Sequence, residues 1–297
     1  MLEGILFEGL IYSLMVLGVY FTFRFLDFPD LTVDGTFPLG ACIVARFLLG
    51  GINPFLAMFF SFLAGGLAGM VTALIHNRLR VPGLLAGILT MTMLYSINIR
   101  IIGDRANVSL LKVNTVFSII GEKFKGYVGY EFSTLIFLVL FVLIIKLLLD
   151  IFFVTDLGLS LRALGSNERF VIQLGINPET LKLIGIALSN GLVALSGGIA
   201  AQYQGFSDVG MGQGIIISGL ASVMIGEFFI FSRKNVFLMT SSAILGSFFY
   251  KTVMYFGRFY GYLIKMTPND LKLLTGVLII ILIIVSRVKK TKREEQW

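Results

Sequence analysis

The stretch Thr155–Thr180, TDLGLSLRALGSNERFVIQLGINPET, sits between two long apolar runs, LIFLVLFVLIIKLLLDIFFV (135–154) and LKLIGIALSNGLVALSGGIAA (181–201). About 20 predominantly apolar residues suffice to cross the hydrocarbon core of a bilayer. The stretch is then a polar insert that emerges at one membrane face. A plain connection between helices needs only about 2–8 residues, and this one is far longer. Asp156 is expected to cap a short helix starting at Leu157, with Gly165 as its C-terminal stop. Ser166 or Asn167 is expected to cap a second short helix, with Glu168 in its first turn, and Gly175 to stop it. Asn177 then caps a third helix with Pro178 in its first position. Leu161, Leu164, Phe170, Ile172 and Leu174 are expected to pack on the membrane domain, and Arg162, Asn167, Glu168 and Arg169 to point away. The insert carries no catalytic set. Two rigid short helices presented at a membrane face suit a docking surface better than a linker.

Outward from the insert the chain keeps the same character. Of 297 residues, 57% are hydrophobic and 14% charged, against about 25% charged in soluble domains. Apolar runs fall at 4–23, 36–50, 54–75, 84–102, 131–150, 180–201, 213–231, 236–257 and 271–287. The fold class is an all-α polytopic membrane protein with about nine transmembrane helices. The second run is short and follows a polar approach, which fits a broken or partly spanning helix. One membrane domain, 1–297, is expected, with an outer loop at 103–130, the insert at 155–178 and a basic tail at 288–297. The start, MLEGILFEGL, has no basic leader region and carries Glu3 and Glu8, so it reads as a first span rather than a cleaved signal. With the N-terminus outside, the inner side collects Arg24, Arg78, Arg80, Arg162, Arg169, Lys182, Arg233, Lys234 and the tail, and the outer side fewer basic residues. That bias places the C-terminus in the cytoplasm. The net charge of +7 follows from the same loops, and no nucleic-acid partner is inferred from it.

Several chemistries drop out. No G-x-x-x-x-G-K-[ST] stretch occurs, so the chain carries no P-loop of its own. His76 is the one histidine and Cys42 the one cysteine. A His/Cys metal cluster, a Ser-His-Asp set and an intrachain disulfide are therefore not expected. No residue is nominated as catalytic or metal-binding.

Polar groups inside apolar runs are the candidates for a solute path, because ionisable side chains at membrane depth face cavities, partners or water. FRFLDFPDLTVDGTFPLG (23–40) holds Asp27, Asp30 and Asp34 among Pro29, Gly35 and Pro38. Irregular backbone at that depth is tolerated where it is buried in protein or lines a cavity. The competing reading is a turn in which Asp34 or Thr36 caps the next helix. A related phrase recurs at 205–214, GFSDVGMGQG: Phe28-x-Asp30 matches Phe206-x-Asp208. The first precedes an outward-running helix and the second an inward-running one, as inverted repeats would. The path candidates are Asp30, Asp34, Asn98, Gln204, Asp208 and Gln213. Ser189, Asn190, Ser196 and the glycines of FLAGGLAGM (62–70) read first as close helix packing.

A family resemblance attaches to these motifs. TDLGLSLRALGSNERFVIQLGINPETLKLIGIALSNGLVALSGGIAA (155–201) resembles the coupling region of ABC-importer permeases of the branched-chain amino acid and ribose superfamily. LDFPDLTVDGTFPLGA (26–41), GLASVMIGE (219–227) and TPNDLKLLTGVLIIIL (267–282) resemble a subgroup associated with tryptophan and tyrosine uptake. The resemblance implies a bacterial-type cell membrane, separate P-loop ATPase subunits that use ATP and Mg, and an extracytoplasmic solute-binding protein. It also implies a second permease copy, either identical or a close relative. The chain itself would not be an enzyme. The insert would be the ATPase-coupling element, with Arg162, Gly165, Ser166, Asn167, Glu168, Arg169 and Gln173 as its coupling residues. Glu168→Pro or Gly165→Trp is expected to block transport without blocking insertion. The implied solute is an amino acid, aromatic by the subgroup. Related permeases carry sugars or nucleosides instead. The alternative mechanism is an ion-coupled secondary transporter, for which Glu8, Arg46 and Lys251 are the intramembrane candidates.

Overall fold

The apolar runs fold as helices, and the caps of those helices are the residues the chain places before them. In a computed structural model, residues 2–230 and 235–261 are described, together with 273, 275–277, 279, 280 and 284. The expected ninth span (271–287) lies largely, and the tail (288–297), Arg233, Lys234 and Lys265 wholly, outside the described residues. The helices are α1 (Leu2–Tyr20), α2 (Val33–Leu49), α3 (Pro54–Leu79), α4 (Gly83–Ile101), α5 (Val116–Val128), α6 (Tyr130–Val154), α7 (Asp156–Ser166), α8 (Glu168–Gln173), α9 (Pro178–Gln204), α10 (Ile215–Phe229) and α11 (Val236–Gly261). A π-turn, Phe21–Phe25, prolongs α1, and a 3-10 turn, Val209–Gly212, precedes α10. Among the described residues, seven helices are long and apolar enough to cross a membrane: α1 with its π-turn, α3, α4, α6, α9, α10 with its 3-10 turn, and α11. The run at 36–50 forms α2, which has 17 residues and carries Pro38 inside it. It is the short helix that the sequence marks.

The expected loop at 103–130 has its own structure. Its β1 (Asn107–Ser109) pairs antiparallel with β2 (Phe206–Asp208), Val108 opposite Ser207. Thr115 and Ser118 then form a reciprocal capping box that starts α5. The Gln202 side-chain oxygen accepts from the Val116 amide at 2.8 Å and fastens α5 to α9.

Helices α1 and α9 form the centre, with 78% and 83% of their spanning windows buried. Helix α6 is at the periphery, with Leu140, Ile144, Leu147, Leu148 and Ile151 exposed along it. An apolar face of that extent would drive association in water and is the ordinary surface of a helix in lipid. The centre is tight because small residues let backbones touch. A methyl group at Gly40 would overlap the Ala194 carbonyl, and one at Gly197 the Phe37 carbonyl. The Ser189 hydroxyl donates to Gly18 O and that of Ser196 to Ile11 O, both at 2.7 Å, so these polar residues tie α9 to α1 and do not face a path. Gly40→Val is expected to force α2 from α9 at a cost of at least about 1–3 kcal/mol, the usual range for overpacking. A lower midpoint in a detergent thermal-unfolding assay checks it.

Candidate solute path and coupling face

Helix α2 begins near the middle of α9. Thr36 Oγ1 donates to Asn190 Oδ1 at 2.8 Å, and Asn190 Nδ2 donates to the buried Asp30 carboxylate at 2.6 Å. Asp30 also accepts from the Thr32 amide at 2.9 Å, and Thr32 and Thr72 hydroxyls meet at 2.8 Å. The run 26–32 is therefore irregular backbone satisfied by side chains inside the protein, as membrane depth requires. Asp208 repeats the turn: its Oδ1 accepts from the Gly210 amide at 2.6 Å, two residues on. The two phrases paired in the sequence share one local geometry, each ahead of a short helix. Gly212 packs on the Asp34 carbonyl and Pro38, which brings the starts of α2 and α10 together.

Asp34 lies in the first turn of α2 but does not cap α2. Its two carboxylate oxygens accept from the Gly214 and Ile216 amides at 2.9 Å each. It caps α10 from across the fold, where the dipole favours a negative group. The local-cap reading of Asp34 is corrected on this point. Thr36 bonds inward to Asn190 and is not a cap either.

A cavity of about 340 Å3 opens beside this junction, lined by Asp34, Gly35, Pro38, Met91, Thr92, Tyr95, Asn98, Val209, Gln213 and Gly214. Three of the six path candidates, Asp34, Asn98 and Gln213, meet there. Asn98 is fully buried; its Nδ2 donates to Gly35 O at 3.1 Å, and its Oδ1 has no partner among the described residues. An unpaired buried acceptor costs about 1–3 kcal/mol. Asp30 is held in the buried Asn190 network, and Asp30, Gln204 and Asp208 are not among the residues that line this cavity. Tyr95 and Thr92 were not singled out by the sequence. Tyr95 lies three residues before Asn98 on α4 and Thr92 three before Tyr95, so i−3 steps from Asn98 could have found them.

A second cavity, about 470 Å3, lies on the other side of the α10 start between α1, α10 and α11, and shares Gln213 and Gly214 with the first. Glu8 and Lys251, two of the candidates for ion coupling, pair there at 3.1 Å. The third, Arg46, is exposed in the last turn of α2, apart from them.

The insert forms α7 and α8. Thr155, not Asp156, caps α7 through a bond from the Gly158 amide, because Asp156 already has helical backbone. Asn167 caps α8, accepting from the Phe170 amide at 3.1 Å, and Asn177 caps α9 ahead of Pro178. Gly175, with φ +77, is the expected stop after α8. Gly165 is not a stop. It lies inside α7, where a side chain would overlap the Phe25 carbonyl of the π-turn. Leu161 and Leu164 are buried, as expected, in one cluster with Phe21, Phe25, Leu26 and Phe153. Phe170, Ile172 and Leu174 are each about half exposed, against expectation, because α8 inserts only Val171. Arg162 is half-buried with its guanidinium 5.6 Å from the Phe25 ring centroid, so it faces inward and not away. Lys182 ties Glu168 of α8 to α9 at 3.0 Å.

Ser166, Asn167, Glu168, Arg169 and Gln173 are exposed together with Phe170, Ile172 and Leu174. Arg162 and Gly165 join that face to the π-turn. From the π-turn, Arg24 reaches Glu227 near the end of α10 at 3.0 Å. The start of that same helix separates the two cavities. Among the described residues there is no group of His, Cys, Asp and Glu that could hold a metal ion.

Comparison with known proteins places this architecture. Residues 1–285 match the family model of the branched-chain amino acid transport system permease component. A tyrosine transport system permease protein of Clostridioides difficile (strain R20291) is 42% identical over 277 residues, 93% of this chain and 88% of that protein. An uncharacterized protein of Rickettsia prowazekii (strain Madrid E) is 35% identical over 95% of this chain and 96% of its own length. A probable branched-chain amino acid transport permease protein, LivH, of Methanocaldococcus jannaschii is 27% identical over 76% of this chain and 73% of its own. No solved structure matches. The chain belongs to the branched-chain amino acid transport permease family and is the permease component of a transport system.

Proposed function

We propose that the chain is the membrane subunit of an ATP-driven importer of aromatic amino acids, working by alternating access. The observation that carries this is the exposed α7–α8 face mounted rigidly on the end of α1. A face that exposes Phe170, Ile172 and Leu174 beside Arg169 and Gln173 fits a protein partner. In this reading the partner is a cytoplasmic P-loop ATPase that binds ATP and Mg, touching Ser166, Asn167, Glu168, Arg169 and Gln173. Arg162 and Gly165 pass its movement to the π-turn. A second permease copy, identical or related, and an extracytoplasmic solute-binding protein complete the assembly in a bacterial-type cell membrane. The N-terminus lies outside and the C-terminus in the cytoplasm, in line with the basic-loop bias. The shared Asx turns of Asp30 and Asp208 support an inverted-repeat origin, with α2 and α10 as its paired short helices. The cavity of Asp34, Asn98 and Gln213 lies on the solute path. The aromatic solute is supported by the C. difficile relative, whose name gives tyrosine.

Reversing a two-state population from 1:99 to 99:1 takes about 5.5 kcal/mol of differential binding. That free energy comes from ATP binding in the partner and must cross the α7 contact. The Arg24–Glu227 bridge is partly exposed, and such pairs contribute about 0.2–1 kcal/mol. Arg24→Ala is therefore expected to lower uptake by no more than about fivefold. The packed Gly165 contact carries the rest. The direct test is uptake of labelled L-tyrosine, L-phenylalanine and L-tryptophan in cells with and without the gene. Loss of ATP-dependent uptake on deletion is expected; unchanged uptake of all three contradicts the proposal.

A further inference from the structure

We infer that the 470 Å3 cavity between α1, α10 and α11 is a binding subsite for a zwitterionic α-amino acid with an aromatic side chain. This rests on the permease reading and names a solute site for it. The cavity has the volume of a small-molecule site, about 300–1,000 Å3. Its wall combines one carboxylate, Glu8, two cations, Lys251 and Arg258, and three rings, Tyr12, Tyr250 and Tyr255.

The arrangement follows from helical spacing. Tyr250, Lys251, Tyr255 and Arg258 lie on one face of α11, and Glu8 and Tyr12 are one turn apart on α1. Ionisable groups on spanning helices do not face lipid by default; they face a cavity or each other. Glu8 and Lys251 do both. They pair at 3.1 Å, and the Lys251 ammonium also lies 3.2 Å from the Tyr12 ring centroid. Among the described residues no carboxylate pairs with Arg258. With Glu8 and Lys251 already paired, Arg258 is the cation left for a ligand carboxylate, and the second Glu8 oxygen is left to accept from a ligand ammonium. Tyr12 already carries the Lys251 ammonium and stacks with Phe37, and the buried Tyr250 bonds Thr275, so Tyr255 and the edges of the other two rings supply the apolar area for an aromatic ring. A sugar would leave Arg258 unanswered, and an aliphatic amino acid would use the rings poorly. The cavity adjoins Gln213 and Gly214 at the start of α10, the helix whose other end is linked to the coupling face.

The test is scintillation-proximity binding of tritiated L-tyrosine to the full chain in phosphatidylglycerol nanodiscs. Saturable binding is expected, displaced by L-phenylalanine and L-tryptophan. Tyramine, which lacks the carboxylate, and 3-(4-hydroxyphenyl)propionate, which lacks the amine, should compete at least tenfold more weakly. Arg258→Met and the near-isosteric Glu8→Gln should each weaken binding at least tenfold. Ile217→Trp, which fills the cavity from α10, should remove it. The subsite is overturned by absence of saturable binding, by equal competition from either analogue, or by wild-type binding in monodisperse Glu8→Gln and Arg258→Met proteins. Intact gene-dependent uptake alongside any of those results would leave the permease reading standing. Failure of that reading would show separately, as uptake unchanged by deletion of the gene.

Discussion

Gly165→Leu is expected to abolish gene-dependent uptake, at least a hundredfold below wild type, while the chain still inserts and accumulates in the membrane. Gly165 has no room for a side chain because the Phe25 carbonyl stands where its Cβ would be. Backbone cannot yield as a flexible side chain can, so leucine must lift α7 from the π-turn and break the route from the coupling face to α1. The bundle itself should survive, since α1 and α9 are joined elsewhere, through Ser189 and Ser196. Uptake and membrane abundance measured together check this. Near-normal uptake by Gly165→Leu would remove α7 from the mechanism. A proline at Glu168 is a weaker lesion than the sequence suggests. Glu168 is the first residue of α8, a position where proline is well tolerated; the variant loses the Lys182 pair and little else, and some uptake should remain.

Asp34→Ala is expected to be the second large effect. The carboxylate holds two amides at the start of α10, Gly214 and Ile216, and among the described residues no other bond to either amide replaces it. Each donor left unpaired in a buried setting costs about 1–3 kcal/mol. Loss of both should unwind the α10 start, which walls both cavities, and lower uptake at least tenfold together with thermal stability. Asp34→Asn retains one acceptor oxygen and should recover part of both. Wild-type uptake by Asp34→Ala would show that the α10 start is not on the solute path.

The helices and their order are legible in the sequence because apolar length and local capping are local properties. Asn167, Asn177 and Pro178 act within three residues of where they stand, so pattern alone places them. Gly165 reads as a helix stop for the same local reason, yet its role is set by the Phe25 carbonyl, 140 residues earlier in the chain. Asp34 reads equally as a local cap or a path residue, and the sequence cannot choose because its partners lie about 180 residues on. The exposure of Phe170, Ile172 and Leu174 runs against hydrophobic pattern. In the proposed reading, a surface reserved for a partner looks, in one chain's sequence, like a buried one. Glu8 and Lys251 were each conspicuous alone, and only the packing of α1 on α11 shows them as a pair in a cavity.

The measurement that bears most directly on the proposed ATP-driven permease is site-specific photo-crosslinking in native membranes. A photoreactive residue is placed at Arg169 or Gln173 on the coupling face, and at Leu148 on the apolar face of α6 as a reference. Adducts are then identified by mass spectrometry. The expected result is a P-loop ATPase joined at Arg169 and Gln173 and absent at Leu148. The contrary result is no ATPase adduct at either position, with the chain purified alone still moving tyrosine into vesicles without ATP.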